Sequence, residues 1–339
     1  MVGLTHTVKT SGCASKLPVA DLARILSSIP LMEDDRLLVG VETSDDALAY
    51  DLGDGRVMVQ SVDFFPPVAD DPYDFGQVAA ANALSDLYAM GAEPAVAMNV
   101  MCFPSCMELE IMRSILLGAQ DKVREAGAVI AGGHTIADST IKYGLAVTGF
   151  TTRDRLWTNR GAHEGDALVI TKRLGVGILN TMIKAGMADE SVVRKSLDSM
   201  KTLNRRAFET ACSFTVHAAT DITGFSLMGH LNEMAEGAGL SVEIDSAAVP
   251  VFEEAIEGAR FGLNPQGMYN NRDYLEDKVA FASSVTRELQ DVFFDPQTSG
   301  PLALAMSDED AVRFVELFGQ PAAVIGHFTA RKDVAISVL

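Results

Sequence analysis

Aspartates spaced for a divalent-cation site are the residues of this sequence most suited to chemistry. Asp46 and Asp63 flank a stretch that reads as a β-hairpin, with turn residues at Gly53–Arg56. A turn centred between Asp54 and Gly55 places Asp46 directly opposite Asp63. Like charges in a cross-strand pair destabilise a sheet unless something compensates them, and Mg²⁺ prefers carboxylate oxygens. The hairpin therefore predicts a Mg²⁺ site, with two solvated aspartates at strand ends as the equally weighted alternative.

Two more aspartates occupy positions from which they could join this pair. Asn82 and Asp86 are four residues apart in a helical pattern, so they share one helix face. Asp221 closely follows the expected strand Val216–Ala219, and open α/β sheets bind ligands beyond the carboxyl ends of their strands. A solvated helix face at Asp86 and a helix cap at Asp221 are the ordinary explanations.

Two glycine-containing segments suggest an anion contact and a reactive thiol. Gly132–Thr135 follows a short apolar strand, and its two glycines allow backbone N–H groups to approach a phosphate. Taken alone, a tight turn with a satisfied histidine is the favoured explanation. Cys13 lies among small residues with Lys16 three residues later, where an ammonium favours the thiolate. Taken alone, this is an incidental cysteine in a tail.

Composition narrows the function classes. The 339 residues suggest about two domains, and 48% hydrophobic with 22% charged residues is ordinary for a folded protein. The formal net charge of −19 disfavours nucleic acid and anionic lipid as partners. Four cysteines are too few for a disulfide framework, and no run of 18 apolar residues occurs. We therefore expect a cytoplasmic protein without a membrane span. The motifs GxxxxGK[ST], GxGxxG and HExxH are also missing.

The elements that must position these residues alternate between helix and strand. Helices are expected at 19–29, 75–90, 108–126, 192–214 and 225–236, with another after the glycine turn at 175–177; strands are expected at 38–41, 47–52, 57–65, 95–102, 128–131, 143–150, 167–171 and 216–219. The apolar pattern lapses at 153–165, where we place the domain boundary. The prediction is an α/β (α+β) protein with a mobile arm at 1–18 and domains at 19–155 and 156–339.

Taken in order, these segments resemble the selenophosphate synthetases (selenide, water dikinases) of the aminoimidazole ribonucleotide synthetase-like superfamily. The resemblance covers essentially the whole chain and is carried by the segments Ser11–Lys16, Glu42–Ala47, Asp63–Phe65, Asp74–Asp86, Ala131–Thr135, Thr220–Phe225 and Asp295–Gly300. It implies a homodimer of two-domain chains in which the N-terminal domains form a β-barrel and the C-terminal domains are α/β. It also implies that ATP, selenide and water give selenophosphate, AMP and orthophosphate.

The resemblance further implies roles for individual residues. Cys13 and Lys16 correspond to the essential cysteine and lysine of the family. The implied ATP-binding residues are Lys16, Thr43, Ser44, Asp45, Asp63, Asp86, Gly133, His134 and Thr135, of which Gly133–Thr135 reach ATP across the dimer interface. The implied ligands of several Mg²⁺ ions are Asp46, Asp63, Asp86 and Asp221. A K⁺ requirement and delivery of selenium by a partner protein are left open.

Two departures from the family pattern accompany these expectations. Ser15 stands where many members carry a second cysteine, so chemistry at this arm must use Cys13 alone. Pro301 follows Asp295–Gly300 and removes a backbone donor there. The alternatives are a thiamine-monophosphate kinase or aminoimidazole ribonucleotide synthetase, which release ADP, and a noncatalytic regulatory paralogue. The intact Cys13, Lys16 and four aspartates argue against the last.

Overall fold

Two β-sheets form the frame of this computed structural model, which describes residues 3–8, 11–15, 25, 28–30, 32–40 and 45–339. The first sheet has six strands in the order β1-β2-β3-β6-β4-β5, all neighbours antiparallel except β4 and β5. These strands are β1 Leu37–Val39, β2 Leu48–Asp51, β3 Arg56–Phe65, β4 Glu93–Phe103, β5 Val129–Ala137 and β6 Lys142–Thr152. The helix predicted over 19–29 lies largely outside the described residues.

Two helices, α1 (Pro72–Ala89) and α2 (Leu109–Glu125), pack against each other and the first sheet. The side chain of Asp71 caps α1 by accepting from the Asp74 N–H at 2.9 Å, and Pro72 occupies the first turn. Gly76 allows the two helices to approach, because a Cβ atom there would lie 2.0 Å from the Ile115 carbonyl oxygen. Helix α1 is consequently buried along most of its length, which makes any polar residue in it noteworthy.

The other face of the first sheet is apolar and open. On β3 the residues alternate, so that Val57 and Val59 are fully buried while Val62 and Phe64 are 58% and 46% exposed. Met98, on β4 of the same sheet, is 48% exposed. Exposed apolar patches of this kind mark interaction surfaces. The β-barrel made by two chains stays a prediction.

The second sheet has seven strands in the order β10-β13-β9-β12-β7-β11-β8, with parallel pairing only at β10-β13-β9. The strands are β7 Ala167–Ile170, β8 Ala218–Asp221, β9 Ser241–Ile244, β10 Val279–Phe281, β11 Leu302–Met306, β12 Ala323–Thr329 and β13 Ile336–Val338. The helices are α3 Val176–Lys184, α4 Glu190–Lys201, α5 Arg205–Ala211, α6 Ser226–Ala238, α7 Glu253–Arg260, α8 Gln266–Tyr274, α9 Arg287–Phe294 and α10 Asp308–Phe318. Helix α1 also contacts β8, so it connects the two halves of the chain.

Three local predictions are wrong in their detail. The hairpin loop is centred on Asp54, because the Leu52 N–H donates to the Arg56 carbonyl and Leu48 pairs with Gln60. This register differs by one residue from the expected one and does not set Asp46 opposite Asp63. The helix expected at 192–214 is two helices, since Thr202 leaves the helical conformation. The strand expected at 128–131 continues to Ala137.

In the part of the chain that the structure describes, no helix is both long enough and apolar enough to span a bilayer.

Candidate active site

Three of the four predicted metal-binding aspartates converge where α1 meets β8. Asp221 is the last residue of β8 and is 1% exposed, and Asp86 on α1 is 8% exposed. The Thr220 hydroxyl donates to Asp46 Oδ1 at 2.9 Å. Burial raises the pKa of Asp46 well above its ordinary value, and the nearby charges of Asp221 and Asp86 raise it further. These residues form a buried acidic cluster.

The acidic cluster fits a divalent cation. The Oδ2 atom of Asp46 is buried, and none of the described residues makes a hydrogen bond to it. Like-charged carboxylates in such a place need a proton or a cation to be stable. Hard carboxylate oxygens are the ligand type that Mg²⁺ prefers. Asp46, Asp86 and Asp221 are therefore the residues that would hold Mg²⁺.

Strand β3 and helix α1 present matched polar pairs beside this cluster. The Asn82 amide donates to Asp63 Oδ2 at 2.5 Å, and the Ser61 hydroxyl donates to Asp86 Oδ2. The expectation that Asn82 and Asp86 share a helix face is confirmed, because both meet alternate residues of one strand. Asp63 therefore lies beside the acidic cluster, two residues along β3 from Ser61, the hydrogen-bond partner of Asp86.

Asn82 also holds the described part of the N-terminal arm. Its Oδ1 atom accepts from the Cys13 thiol at 3.3 Å and from the Ser299 N–H at 2.8 Å. Cys13 is 1% exposed, lies in a short 3-10 turn (Gly12–Ser15), and donates its N–H to Thr298 Oγ1 at 3.2 Å. The structure therefore packs Cys13 into the site, while the mobility expected of the arm stays a prediction.

The segment Asp295–Gly300 is anchored by hydrogen bonds to the start of α3. Asp295 Oδ2 accepts from the Gly177 N–H at 2.8 Å, and Gln297 Oε1 accepts from the Gly175 N–H at 3.1 Å. Burial raises the pKa of Asp295 to about 8. The segment is thereby fixed with Thr298 and Ser299 facing the arm and Asn82.

Two residues that the sequence analysis missed secure this segment from the other side. The Lys172 ammonium donates to the carbonyl oxygens of Ser299 at 2.8 Å and Thr202 at 2.7 Å, and burial lowers the pKa of Lys172 to about 7. The Asn204 amide donates to Gly300 O at 2.9 Å and to Ser85 Oγ on α1 at 2.8 Å. Both act through long-range contacts, so no local sequence pattern indicates them.

The segment Gly132–Thr135 does not lie near the acidic cluster within this chain. It belongs to the edge strand β5, where it is exposed, and is not the turn that the sequence suggested. Gly133, His134 and Thr135 pair with residues of β4. Strands β6 and β4 separate β5 from β3, a distance of about 14 Å across the sheet at ordinary strand spacing. A role for these residues in ATP binding would need a second chain.

The remaining predicted nucleotide contacts are only partly described. Asp45 precedes the acidic cluster residue Asp46, and its Oδ1 accepts from the Asn159 N–H at 2.7 Å. Lys16, Thr43 and Ser44 lie outside the described residues.

Comparisons with known proteins match both halves of this architecture. Residues 44–151 match the family model "AIR synthase related protein, N-terminal domain", and residues 163–339 match its C-terminal counterpart. Solved structures with the same fold include thiamine-monophosphate kinase from Aquifex aeolicus, with a TM-score of 0.67 and 15% identity over 95% of this chain and 96% of that one. The hydrogenase maturation protein HypE in complex with ATP has a TM-score of 0.67 and 20% identity over 94% and 90% of the two chains.

Closer sequence relatives are curated as selenide, water dikinases. One from Clostridium botulinum (strain Eklund 17B / Type B) is 49% identical over 99% of both chains. Another from Pelobacter propionicus is 49% identical over 96% of this chain and 95% of its own. The fold and the family models place the chain in the AIR synthase related class. Within that class, the chain belongs to the selenide, water dikinase family.

Proposed function

We propose that this protein is a phosphotransferase that makes selenophosphate from ATP, selenide and water. The γ-phosphoryl group of ATP ends on selenium, and water cleaves the remaining ADP, so that AMP and orthophosphate are released. The observation that carries the proposal is the convergence of the acidic cluster, Asp63 and Cys13 on the single helix α1. The relatives named selenide, water dikinase support this reaction over a kinase that stops at ADP.

The four site carboxylates are suited to phosphoryl transfer. This chemistry needs positioning and charge neutralisation more than covalent help. Mg²⁺ held by Asp46, Asp86 and Asp221, with Asp63 beside them, would supply the positive charge that a triphosphate requires. The hydrogen bonds from Thr220 to Asp46 and from Ser61 to Asp86 orient two of these carboxylates. Because these hydrogen bonds hold the carboxylates in place, the carboxylates would bind Mg²⁺ without costly rearrangement.

The arm would bring selenium chemistry to the phosphate. Cys13 is enclosed by Asn82 and Thr298, one on α1 and one on the anchored segment. Gly12 is required for this closure, because its φ is +56° and a Cβ atom would lie 2.5 Å from Thr298 Oγ1. We assign Cys13 a role toward the selenium substrate and Lys16 an electrostatic role toward the phosphates of ATP. Closure of the arm would exclude bulk water from the transfer step.

A second copy of the chain completes the proposed nucleotide site. The open apolar face of the first sheet supports a homodimer, and the exposed segment Gly133–Thr135 at the sheet edge could then face ATP bound to the partner. A cytoplasmic location stays a prediction from the sequence, and the K⁺ requirement and the delivery of selenium by a partner protein stay open.

The nucleotide products test this proposal. Chromatography of reactions with ATP and Mg²⁺ should show AMP only when selenide is added, whereas a sister kinase would release ADP without it. Asp63→Asn and Cys13→Ser should each lose AMP formation while keeping the wild-type melting temperature. Cys212→Ser is the control, because Cys212 is an exposed cysteine directly after α5 and is not one of the candidate site residues. Selenide-independent ADP as the end product would refute the assignment.

A further inference from the structure

A second cluster of potential metal ligands lies where the C-terminal half of the chain begins. His163 and Asp166 precede β7, and His217 directly precedes β8. One ligand atom from each of the three side chains can be chosen so that all lie within 4.8 Å of one another. These three residues form the His–Asp–His cluster. Among the residues that the structure describes, it is the one set of three such side chains that meets this spacing.

The cluster is separate from the acidic cluster of the active site. His217 directly precedes β8 and Asp221 is its last residue, so their Cα atoms are about 13 Å apart at the rise of an extended strand. Asp221 belongs to the acidic cluster, and His217, at the opposite end of β8, belongs to the His–Asp–His cluster. A ligand at one cluster therefore does not occupy the other.

The cluster is preorganised by the backbone and by Asp166. Asp166 is 4% exposed, and its Oδ2 accepts from the His163 backbone N–H at 2.7 Å. Both carboxylate oxygens lie 2.9 Å from His217 Nδ1. The rings of His163 and His217 are in contact, with centroids 4.3 Å apart. An ion pair that only stabilises the fold would explain the contact between Asp166 and His217. It would not explain why the His163 ring packs against the His217 ring.

The distances suit a metal ion bound by nitrogen and oxygen. Zinc-type ions bind imidazole nitrogen and carboxylate oxygen at about 2.0–2.2 Å, so two ligands of a tetrahedral ion are about 3.3–3.6 Å apart. Asp166 and His217 are 2.9 Å apart, which is the distance of the hydrogen bond between them, so a bound ion would separate them by about half an ångström. The ligand atom of His163 lies within 4.8 Å of the other two, and its exposed side chain can adjust to that spacing. Water would complete the coordination.

We propose that His163, Asp166 and His217 form a binding site for a divalent transition-metal ion of the zinc class, distinct from the Mg²⁺ site. Imidazole ligands select Zn²⁺, Co²⁺ and Ni²⁺, whereas Mg²⁺ prefers oxygen. The ligands must lose their protons to bind, so binding displaces the proton that joins His217 to Asp166. The bound ion would tie the start of β7 to the start of β8.

Co²⁺ titration of the chelator-treated full chain tests this site. Millimolar Mg²⁺ is included so that the acidic cluster is occupied. One Co²⁺ per chain should give visible ligand-field bands without the ultraviolet charge-transfer band that cysteine ligands produce. His217→Ala and His163→Ala should lose these bands. Asp166→Asn should weaken Co²⁺ binding by more than the roughly 10- to 100-fold that loss of a residue merely orienting a ligand would cost, because Asp166 is itself a ligand in this proposal.

His327→Ala is the matched control, because His327 also pairs with a carboxylate, Asp308, at 2.9 Å but on the exposed surface and outside any such group of three. It should bind Co²⁺ as the wild type does. His163 is exposed, so His163→Ala decides the matter even if the other variants fold poorly. Unchanged Co²⁺ binding in His163→Ala and His217→Ala, an equal loss in His327→Ala, or no binding to the wild type would overturn the proposal.

Discussion

The enclosure of Cys13 predicts how fast its thiol reacts with an alkylating reagent. Cys13 is 1% exposed, so iodoacetamide can reach it only after the arm opens. Its N–H donates to Thr298 Oγ1 at 3.2 Å, and Thr298 is 4% exposed. The substitution Thr298→Val keeps the shape of that side chain and removes the acceptor. It should therefore favour the open arm without creating a cavity.

The expected size of the effect comes from the buried hydrogen bond. Loss of the buried hydrogen bond from the Cys13 N–H to Thr298 in the closed state costs about 1–3 kcal/mol, and water satisfies the same group in the open state. A shift of that size raises the open population, and with it the alkylation rate, about 5- to 150-fold when closing outpaces labelling. The hydrogen bond from the Cys13 thiol to Asn82 remains in Thr298→Val, so the arm opens only transiently.

Peptide mass spectrometry after timed iodoacetamide labelling measures each cysteine separately. Cys102 is the internal control, because it is also buried but belongs to β4 and not to the arm. Its labelling rate should be the same in wild type and Thr298→Val. Exposed Cys106 reports the rate without protection. Wild-type Cys13 reacting as fast as Cys106, or an unchanged Cys13 rate in Thr298→Val, would refute the reasoning.

Three further predictions concern metal, pH and assembly. Asp46→Asn should raise the melting temperature of the Mg²⁺-free protein, by roughly 1–2 °C for about 1 kcal/mol of relieved repulsion in a chain of 339 residues, because burial and neighbouring carboxylates penalise its charge. In the same thermal melts, Asp46→Asn should abolish the further rise in melting temperature that Mg²⁺ gives to the wild type. An undiminished response of the melting temperature to Mg²⁺ would contradict the metal site. Asp295, with its pKa raised from 3.8 to about 8, keeps a proton in the folded chain that the unfolded chain releases, so stability falls as pH rises between those values. Denaturation across that pH range should show Asp295→Asn reducing this slope by up to about 1.4 kcal/mol per pH unit, and an identical slope would exclude this titration. Phe64→Lys on the open sheet face should give a monomer by light scattering, whereas Phe261→Lys, at a 63% exposed position elsewhere, should leave the mass of the wild type unchanged. A dimeric Phe64→Lys variant would place the interface on another surface.

The hairpin shows how a small error in a turn changes the assignment of a site. Gly53 and Gly55 both have positive φ and flank Asp54, which gives a three-residue loop in place of the two-residue one expected from sequence. Every cross-strand pair shifts by one residue as a result. Asp46 accepts a hydrogen bond from Thr220 on β8, a contact between residues 174 positions apart. Local pattern alone does not indicate such a partner.

Features set by short-range spacing were predictable, and features set by tertiary contacts were not. The shared face of α1 at Asn82 and Asp86 followed from the helical period, but their hydrogen bonds to Asp63 and Ser61 on β3 did not. Paired glycines suggested a turn at Gly132–Gly133, yet the chain continues as the edge strand β5 because β4 supplies pairing partners. The burial of Cys13 depends on Asn82, far along the chain, so the sequence of the arm alone suggested only mobility.

Phosphorus NMR with ⁷⁷Se-enriched selenide tests the central claim most directly, because it observes the bond that the reaction makes. The protein is incubated anaerobically with ATP and Mg²⁺, and a selenide-free sample serves as the control. The account predicts a new phosphorus resonance split by one directly bonded ⁷⁷Se nucleus, growing together with AMP and orthophosphate. ATP consumption without that split resonance would contradict the assignment of selenium as the phosphoryl acceptor.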